Sequence, residues 1–257
     1  MATRTIGILG GMGPAATVDL FDRMVRATPA RTDQDHIPIL IFNNPAIPDR
    51  SQAILHGGAD PLPPMLAGLD LLARMGAEVV AIPCNTAHYY WPQLQAGVGI
   101  PVLNMVEETV QVIRRAHPSV ERVGIMATSG TVAVELYQDA LKTAGLTPVE
   151  PTADEVAQMM EAIYGKRGVK AGFAGGLAQE LLLSVGSALI RRGAQAVLQQ
   201  LARVLQAQRV QADHRRVRPL PQAGEGGRHR LGDRARGQDR RQGRDLLGHL
   251  AQQGPGG

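Results

Sequence analysis

A single cysteine, Cys84, occupies the most chemically informative position in this 257-residue sequence. It directly follows an apolar, β-branched stretch, residues 78–83, which predicts a buried strand. Parallel sheets bind ligands at the carboxyl ends of their strands, and Asn85 and Thr86 add an amide and a hydroxyl beside the thiol. Cys84 is therefore a candidate nucleophile or base, and an ordinary buried cysteine is an equally open alternative.

The first glycine-rich loop, GILGGMGPAAT, has two possible uses. Gly11, Gly13 and Ala16 match a dinucleotide-binding pattern between a strand and a helix. That pattern also needs an acid at the end of the second strand, where this chain has Asn43 and Asn44. Cofactor binding is thus the weaker interpretation, and a turn whose backbone amides face a carboxylate fits equally well.

Other polar residues are weak signals when taken one at a time. Arg50, in a polar loop beyond the second strand, can bind a carboxylate bidentately, although a solvated surface arginine is commoner. Lys170 is one of three lysines, and isolated lysines are usually exposed. His88 can orient a group near Cys84, but a packed histidine at a helix start is commoner. In the second half, MATSGT offers hydroxyls for an anion-binding turn or a helix cap: Thr128, Ser129 and Thr131.

The elements that position these residues alternate between strand and helix. Strands are predicted at 5–11, 36–44, 77–85, 100–104, 122–128, 146–150 and 194–198. Helices are predicted at 14–28, 60–76, 105–117, 131–145, 153–165 and 173–193. This order predicts parallel βαβ units in an α/β fold. We expect two similar domains, 1–104 and 105–198, each a parallel sheet flanked by helices, with a cleft between them.

Composition narrows the class of protein. A hydrophobic content of 44% suffices for a core, and a lone cysteine excludes an internal disulfide and fits a reducing compartment. Neither a membrane span nor a signal peptide is evident, so we expect a soluble, cytoplasmic protein. Residues 199–257 hold 12 arginines and 5 acidic residues, a net charge of +7. Residues 1–198 have a net charge of −3, which with the tail gives +4 for the whole chain. Because the basic charge is confined to the tail, we expect no nucleic-acid partner.

Residues 199–257 form a tail of unusual composition. They use ten residue types, and every one of these can be encoded by a codon that begins with G or C. GC-rich coding DNA has mostly G or C at the third position of its codons. Translation in the frame that starts at that position therefore gives codons that mostly begin with G or C. We therefore predict an out-of-frame, disordered tail, and an ordinary disordered basic tail is the alternative.

Taken together, the segments GILGGMGPAAT, NNPAIPDR, PCNTAH, MATSGT and VKAGF resemble the aspartate/glutamate racemase family. These enzymes racemise amino acids without pyridoxal phosphate. The resemblance runs from Thr5 to about Leu198. It implies two pseudo-symmetric α/β domains with the site in the interdomain cleft, a homodimer, a small dicarboxylic amino acid as substrate, and no cofactor. No metal-ligand cluster is evident in the sequence, so we expect no metal. The resemblance also implies two opposed cysteines, one removing the α-proton and the other returning it from the opposite face.

The resemblance assigns roles to particular residues. Cys84 matches the catalytic cysteine of the first domain. Substrate-binding positions are matched by Met12, Asp49, Arg50, Ser51, Asn85, Thr86, Ala87, Thr128 and Lys170. An unperturbed thiol has a pKa of about 8.5, so it is mostly neutral at pH 7. Nearby donors or a helix N-terminus must therefore favour the thiolate.

The chain departs from the family pattern where the second cysteine should follow the last strand, because Leu201 stands there. With one base, an enzyme can release and regain the proton on one face only. Three hypotheses remain open. The chain is a racemase relative damaged at its C-terminal end, which we favour, or a one-cysteine decarboxylase or isomerase relative, or a non-catalytic dicarboxylate-binding protein.

Overall fold

Two parallel three-stranded sheets organise the chain, which confirms the predicted α/β fold. The computed structural model describes residues 4–173 and 175–199. The first sheet has the strand order β2-β1-β3, from β1 (Ile6–Gly10), β2 (Ile39–Asn43) and β3 (Val79–Ala81). The second has the order β5-β4-β6, from β4 (Arg122–Met126), β5 (Thr147–Val149) and β6 (Ala196–Gln199). All neighbouring strands are parallel, so the carboxyl ends within each sheet share one edge.

Nine α-helices flank these sheets within the described ranges. They are α1 (Pro14–Ala27), α2 (Arg50–His56), α3 (Leu62–Arg74), α4 (Trp91–Ala96), α5 (Met105–Ala116), α6 (Ser129–Ala133), α7 (Leu136–Thr143), α8 (Ala153–Tyr164) and α9 (Leu177–Arg191). Short 3₁₀ helices lie at Asp33–Asp35, Thr86–Tyr90 and Val169–Ala171. No described helix combines the length and apolar character needed to cross a bilayer.

The two sheets repeat the same construction at a spacing of 117 residues. β1 pairs with β3 at Ile8 and Ala81, and β4 pairs with β6 at Ile125 and Leu198, which lie 117 positions later. The loops before β3 and β6 also correspond, because Gly76 and Gly193 both have positive φ, at 99° and 94°. A backbone amide at the start of the central strand donates to a side chain in each half: that of Thr5, just before β1, to Glu78, and that of Arg122, the first residue of β4, to Gln195.

Side-chain packing repeats in the same way. Gly7 lies against Leu72 and Ala77, so closely that a Cβ on Gly7 would come within 3.0 Å of the Ala77 Cβ. Gly124 lies in the same way against the residues 117 positions later, Leu189 and Ala194. A glycine on the central strand thus lets one helix and the turn after it approach the sheet in both halves. The predicted boundary near residue 104 remains a prediction.

Three sequence predictions need correction. The predicted strand at 100–104 is a single bridge between Val80 and Val102, because Pro101 has no N–H to continue the ladder. The predicted helix at 131–145 breaks into α6 and α7 at Glu135, whose φ is 51°. There the Val132 carbonyl accepts hydrogen bonds from the Glu135 amide and from the Gln138 side chain, both at 3.1 Å, so it is satisfied without a continuous helix.

Arg50 starts helix α2 instead of lying in a polar loop, which is the third correction. Asp49 caps this helix by accepting a hydrogen bond from the Gln52 amide at 3.0 Å. The Asp49-to-Gln52 spacing is itself a helix-start signal that the sequence contained. The predicted out-of-frame tail and the position of Leu201 lie outside the described residues, apart from Gln199 at the end of β6.

Candidate active site

A cavity of about 620 Å³ lies where the turns after strands of both sheets meet. Its size is in the range of small-molecule sites. The turns after β1, β2, β3 and β4 all contribute to its wall, together with the end of α8 and the segment after it. Eight of the predicted site residues line it: Met12, Asp49, Arg50, Cys84, Asn85, Thr86, Thr128 and Lys170.

Cys84 lies in the cavity wall, three residues beyond the end of β3. Its residue surface is 9% exposed, and it belongs to the first sheet's apolar cluster as well as to the cavity. Pro83 precedes Cys84, and the backbone amide of Cys84 donates to the Ile82 carbonyl at 2.8 Å. The thiol is thus packed on one side and lines a cavity on the other, a placement compatible with both interpretations of this cysteine.

His88 holds the turn that carries Cys84. Its Nδ1 lies 2.8 Å from the Cys84 carbonyl and its Nε2 lies 3.3 Å from the Leu103 carbonyl. Burial lowers the pKa of His88, although these hydrogen bonds act in the opposite direction. A neutral ring donates from one nitrogen, and the shorter contact assigns that hydrogen to Nδ1. His88 therefore packs as a structural residue, as the commoner alternative predicted.

Three threonine hydroxyls join the turn after β3 to the turn after β4. Thr86 lies 3.0 Å from Thr128 and 2.8 Å from Thr131, and these last two lie 3.1 Å apart, measured between hydroxyl oxygens. All three side chains are buried. Because each hydroxyl can donate once and accept, the three satisfy one another and hold the two turns together beside Cys84.

Arg50 places a buried positive charge at the cavity. It is 5% exposed, and its two terminal nitrogens donate to backbone carbonyls of Met12, Ile47 and Pro48 at 2.7–3.2 Å. Its Nε is buried and has no hydrogen-bond partner among the described residues. Carbonyls solvate the guanidinium without neutralising it, so its charge remains available to an anion in the cavity.

Lys170 forms an ion pair with Asp49 at the cavity wall. Its Nζ lies 3.1 Å from Asp49 Oδ2 and 3.9 Å from the centre of the Tyr164 ring, whose hydroxyl donates to the same carboxylate at 2.9 Å. Burial disfavours the Asp49 anion, but the Gln52 amide and Lys170 outweigh it and hold the pKa of Asp49 below its usual value. Asp49 therefore stays ionised and compensates Lys170.

Two predicted residues are not brought to the cavity wall. Ser51 is buried against Gly130, so closely that a Cβ added to Gly130 would come within 2.8 Å of the Ser51 hydroxyl oxygen. Ala87 is fully buried in the first sheet's apolar cluster. Two tyrosines that sequence analysis missed do reach the site, Tyr164 at the wall and Tyr137 behind Asn85. Their side chains come from helices distant in sequence, and no local motif signals them.

The cavity thus combines a lone thiol, a buried guanidinium that forms no ion pair with any described residue, and neutral polar groups. This set can hold a carboxylate near the thiol. Among the described residues, no group of three or more His, Cys, Asp and Glu side chains could hold a metal ion.

Comparison with known proteins gives the family. The sequence model of the Asp/Glu/hydantoin racemase family matches residues 9–198. The chain belongs to this family. The match ends at the residue where the composition of the sequence changes.

Individual relatives of this Asp/Glu/hydantoin racemase family member agree with that assignment. The chain is 32% identical over 144 residues to a Bacillus subtilis protein named broad specificity amino-acid racemase RacX, which covers 54% of this chain and 61% of the relative. The chain thus spans about 61% of the length of the curated relatives that it matches.

Solved structures in the same family share the fold. An aspartate racemase from Picrophilus torridus superposes with a TM-score of 0.66 at 27% identity, covering 78% of this chain and 81% of that one. A glutamate racemase from Francisella tularensis, in complex with D-glutamate, has a TM-score of 0.53 at 18% identity and covers 78% and 69%. The second likeness shows the fold alone.

Proposed function

We propose that this protein uses Cys84 as an acid and base at the α-carbon of a small amino acid, without a cofactor. The observation that carries the proposal is the position of the chain's single cysteine, in the wall of a cavity that also holds Arg50. The family relationship supports amino-acid racemisation as the reaction class. The same relationship leads us to propose a cytoplasmic homodimer.

In the proposed reaction, the Cys84 thiolate removes the α-proton and becomes a thiol. The electron pair left on the α-carbon delocalises into the carboxylate as an enediolate. The buried charge of Arg50 and the Asn85 amide beside Cys84 would offset that negative charge. Returning the proton to the same face regenerates the starting enantiomer, whereas delivery to the opposite face would invert the centre.

The second half supplies no thiol at the corresponding place. The 117-residue repeat relates Cys84 to position 201, which is leucine, and an aliphatic side chain neither donates nor accepts a proton. We therefore propose that this chain exchanges the α-proton with solvent on one face and does not complete racemisation.

Aspartate or glutamate is the proposed substrate, and Asp49 bears on that choice. The α-carboxylate can use Arg50, whereas a side-chain carboxylate that reaches Lys170 must compete with Asp49 for the ammonium. Two of the relatives differ in the substrate range that their names state, since the Picrophilus torridus protein is an aspartate racemase and the Bacillus subtilis protein has broad specificity.

Exchange of the α-proton in D₂O tests the proposal. Each enantiomer of aspartate and glutamate is incubated with the protein, and proton NMR and chiral chromatography follow deuterium uptake and configuration. We expect uptake by one enantiomer, with configuration retained. The C84A variant should lose at least about 100-fold in exchange rate, the low end of what a positioned acid or base contributes.

The outcomes separate the alternatives. Exchange that survives in C84A excludes the thiol as the base, and formation of the opposite enantiomer by the wild-type chain excludes the proposed impairment. Aspartate binding without exchange would instead favour the non-catalytic dicarboxylate-binding hypothesis. Carbon dioxide release would favour a decarboxylase.

A further inference from the structure

Tyr137 connects the second half of the chain to the residue beside the thiol. It lies at the start of α7, is 4% exposed, and its hydroxyl donates to the side-chain oxygen of Asn85. The two residues are 52 positions apart, so this contact depends on the tertiary structure alone. Within the described part of the chain, no other side chain of α7 hydrogen-bonds to a residue that lines the large cavity.

Asn85 separates two cavities. It lines the large one that contains Cys84, and it also lines a smaller one of about 130 Å³ bounded by Tyr137, Thr109 and Met105. Tyr137 approaches the amide from the smaller cavity. Because an amide carries its oxygen and its NH₂ group on opposite sides, engaging the oxygen from behind leaves the NH₂ group for the large cavity.

The hydroxyl of Tyr137 is kept as a donor by its surroundings. Burial raises the pKa of Tyr137 well above its ordinary value, and the proximity of Cys84 acts in the same direction. The phenol is therefore protonated at neutral pH. A protonated phenol beside the amide oxygen fixes which way the amide faces.

The backbone break before Tyr137 also fits this arrangement. Glu135 has the one positive φ found at a non-glycine residue among the described residues, and such a conformation is unfavourable for an L-residue because its Cβ crowds the backbone. The break separates α6 from α7 and gives α7 its own start at Leu136. Strain of this kind persists where the surrounding structure requires it, which is common beside functional sites.

We propose that Tyr137 is a positioning residue, which holds the Asn85 amide so that its NH₂ group donates to a ligand carboxylate in the large cavity. The proposal rests on the proposed function for the identity of that ligand. Tyr137 itself touches no ligand and acts only through Asn85.

A double-mutant cycle in the full-length chain tests this. The variants are Y137F, N85A and the double variant, and the probe is aspartate, each enantiomer measured by isothermal titration calorimetry. Y137F should weaken binding about 3- to 10-fold, in line with the loss of one hydrogen bond. In the N85A background the same substitution should have almost no further effect, because Asn85 is the group through which Tyr137 acts.

Y90F is the matched control, since Tyr90 is also buried, lies outside the cavity wall and packs edge-on against Tyr89. It should bind aspartate like the wild-type chain. Equal losses caused by Y137F in both backgrounds would show a merely structural role and overturn the proposal.

Amide NMR keeps the test independent of the ligand. The Asn85 side-chain NH₂ resonances, assigned by their loss in N85A, should shift and broaden in Y137F but not in Y90F. If no amino acid binds the wild-type chain, the proposed function fails. The contact between Tyr137 and Asn85 is then tested by this spectrum alone. A change in the Asn85 resonances in Y137F would support the contact, and an unchanged spectrum would refute it.

Discussion

The two sheets share one architecture and differ in the chemistry at their carboxyl edges. In the first half, the turn after β3 carries Cys84, Asn85 and Thr86 into the cavity. In the second half, the strand with the same register, β6, leads toward Leu201. The strand pairing, the tight glycine and the left-handed turn before the last strand recur in both halves, so the frame does not depend on the thiol. The two halves therefore share a frame that needs no thiol after its last strand.

Restoring a thiol in the second half should have the largest effect. If position 201 is the counterpart of Cys84, then L201C supplies a proton donor to the opposite face, and the opposite enantiomer should form at least about tenfold faster than with the wild-type chain. Chiral chromatography of aspartate incubations measures this. A thiol one position later, in A202C, is the matched control and should give no gain. An equal gain in the two variants, or no gain in either, would contradict the 117-residue correspondence.

The matched glycines test whether the frame is equally tight in both halves. In G7A, the new Cβ would lie 3.0 Å from Ala77 Cβ and Val80 Cγ2. In G124A it would lie 3.1 Å from Leu189 Cβ and 3.2 Å from Ala194 Cβ. Each substitution should lower the free energy of unfolding by about 1–3 kcal/mol through overpacking, G7A by more, as measured by urea denaturation.

Gly99 supplies the control for these two substitutions, because nothing lies within 4 Å of the Cβ that G99A would add. G99A should leave the urea midpoint nearly unchanged. A large loss in one glycine variant and none in the other would show that the two frames are not equivalent.

The helix break is a smaller difference between the halves. Helix α1 runs unbroken for 14 residues after β1, whereas the segment after β4 is interrupted at Glu135. E135G should raise the free energy of unfolding by about 1 kcal/mol, because glycine adopts positive φ without the cost of a Cβ. Thermal denaturation measures the gain. E135Q keeps the Cβ and removes the charge, so it should melt close to the wild-type protein. Destabilisation by E135G would refute the strain at this residue.

Much of the fold could be predicted because its signals are local. The apolar runs at 5–11 and 122–128 and the helical period of 105–117 each specify an element without reference to the rest of the chain. The helix break at Glu135 was missed because it depends on the side chain of Gln138 and on packing around α7. The start of α2 was missed although Asp49 and Gln52 signal it.

Of the residues predicted for the site, four that lie in turns after strands line the cavity for a simple geometric reason. Cys84, Asn85, Thr86 and Thr128 reach the cavity because the turns after parallel strands lie at one edge of the sheet. Arg50 was expected to be solvated if considered alone, yet it is buried, since backbone carbonyls replace water around its guanidinium. Tyr164 and Tyr137 reach the site from helices, where sequence position says little about direction.

The sequence by itself determined the family, the alternation of strands and helices, and the presence of a single thiol. These depend on residue types and on patterns along the chain. Tertiary structure decided which side chains meet: it pairs Lys170 with Asp49, surrounds the Arg50 guanidinium with backbone carbonyls and brings the Tyr137 hydroxyl to the Asn85 side chain. The first and last of these contacts join the two halves of the chain, and the second reaches Met12, 38 positions away. No short-range pattern records contacts between residues that are brought together only by folding.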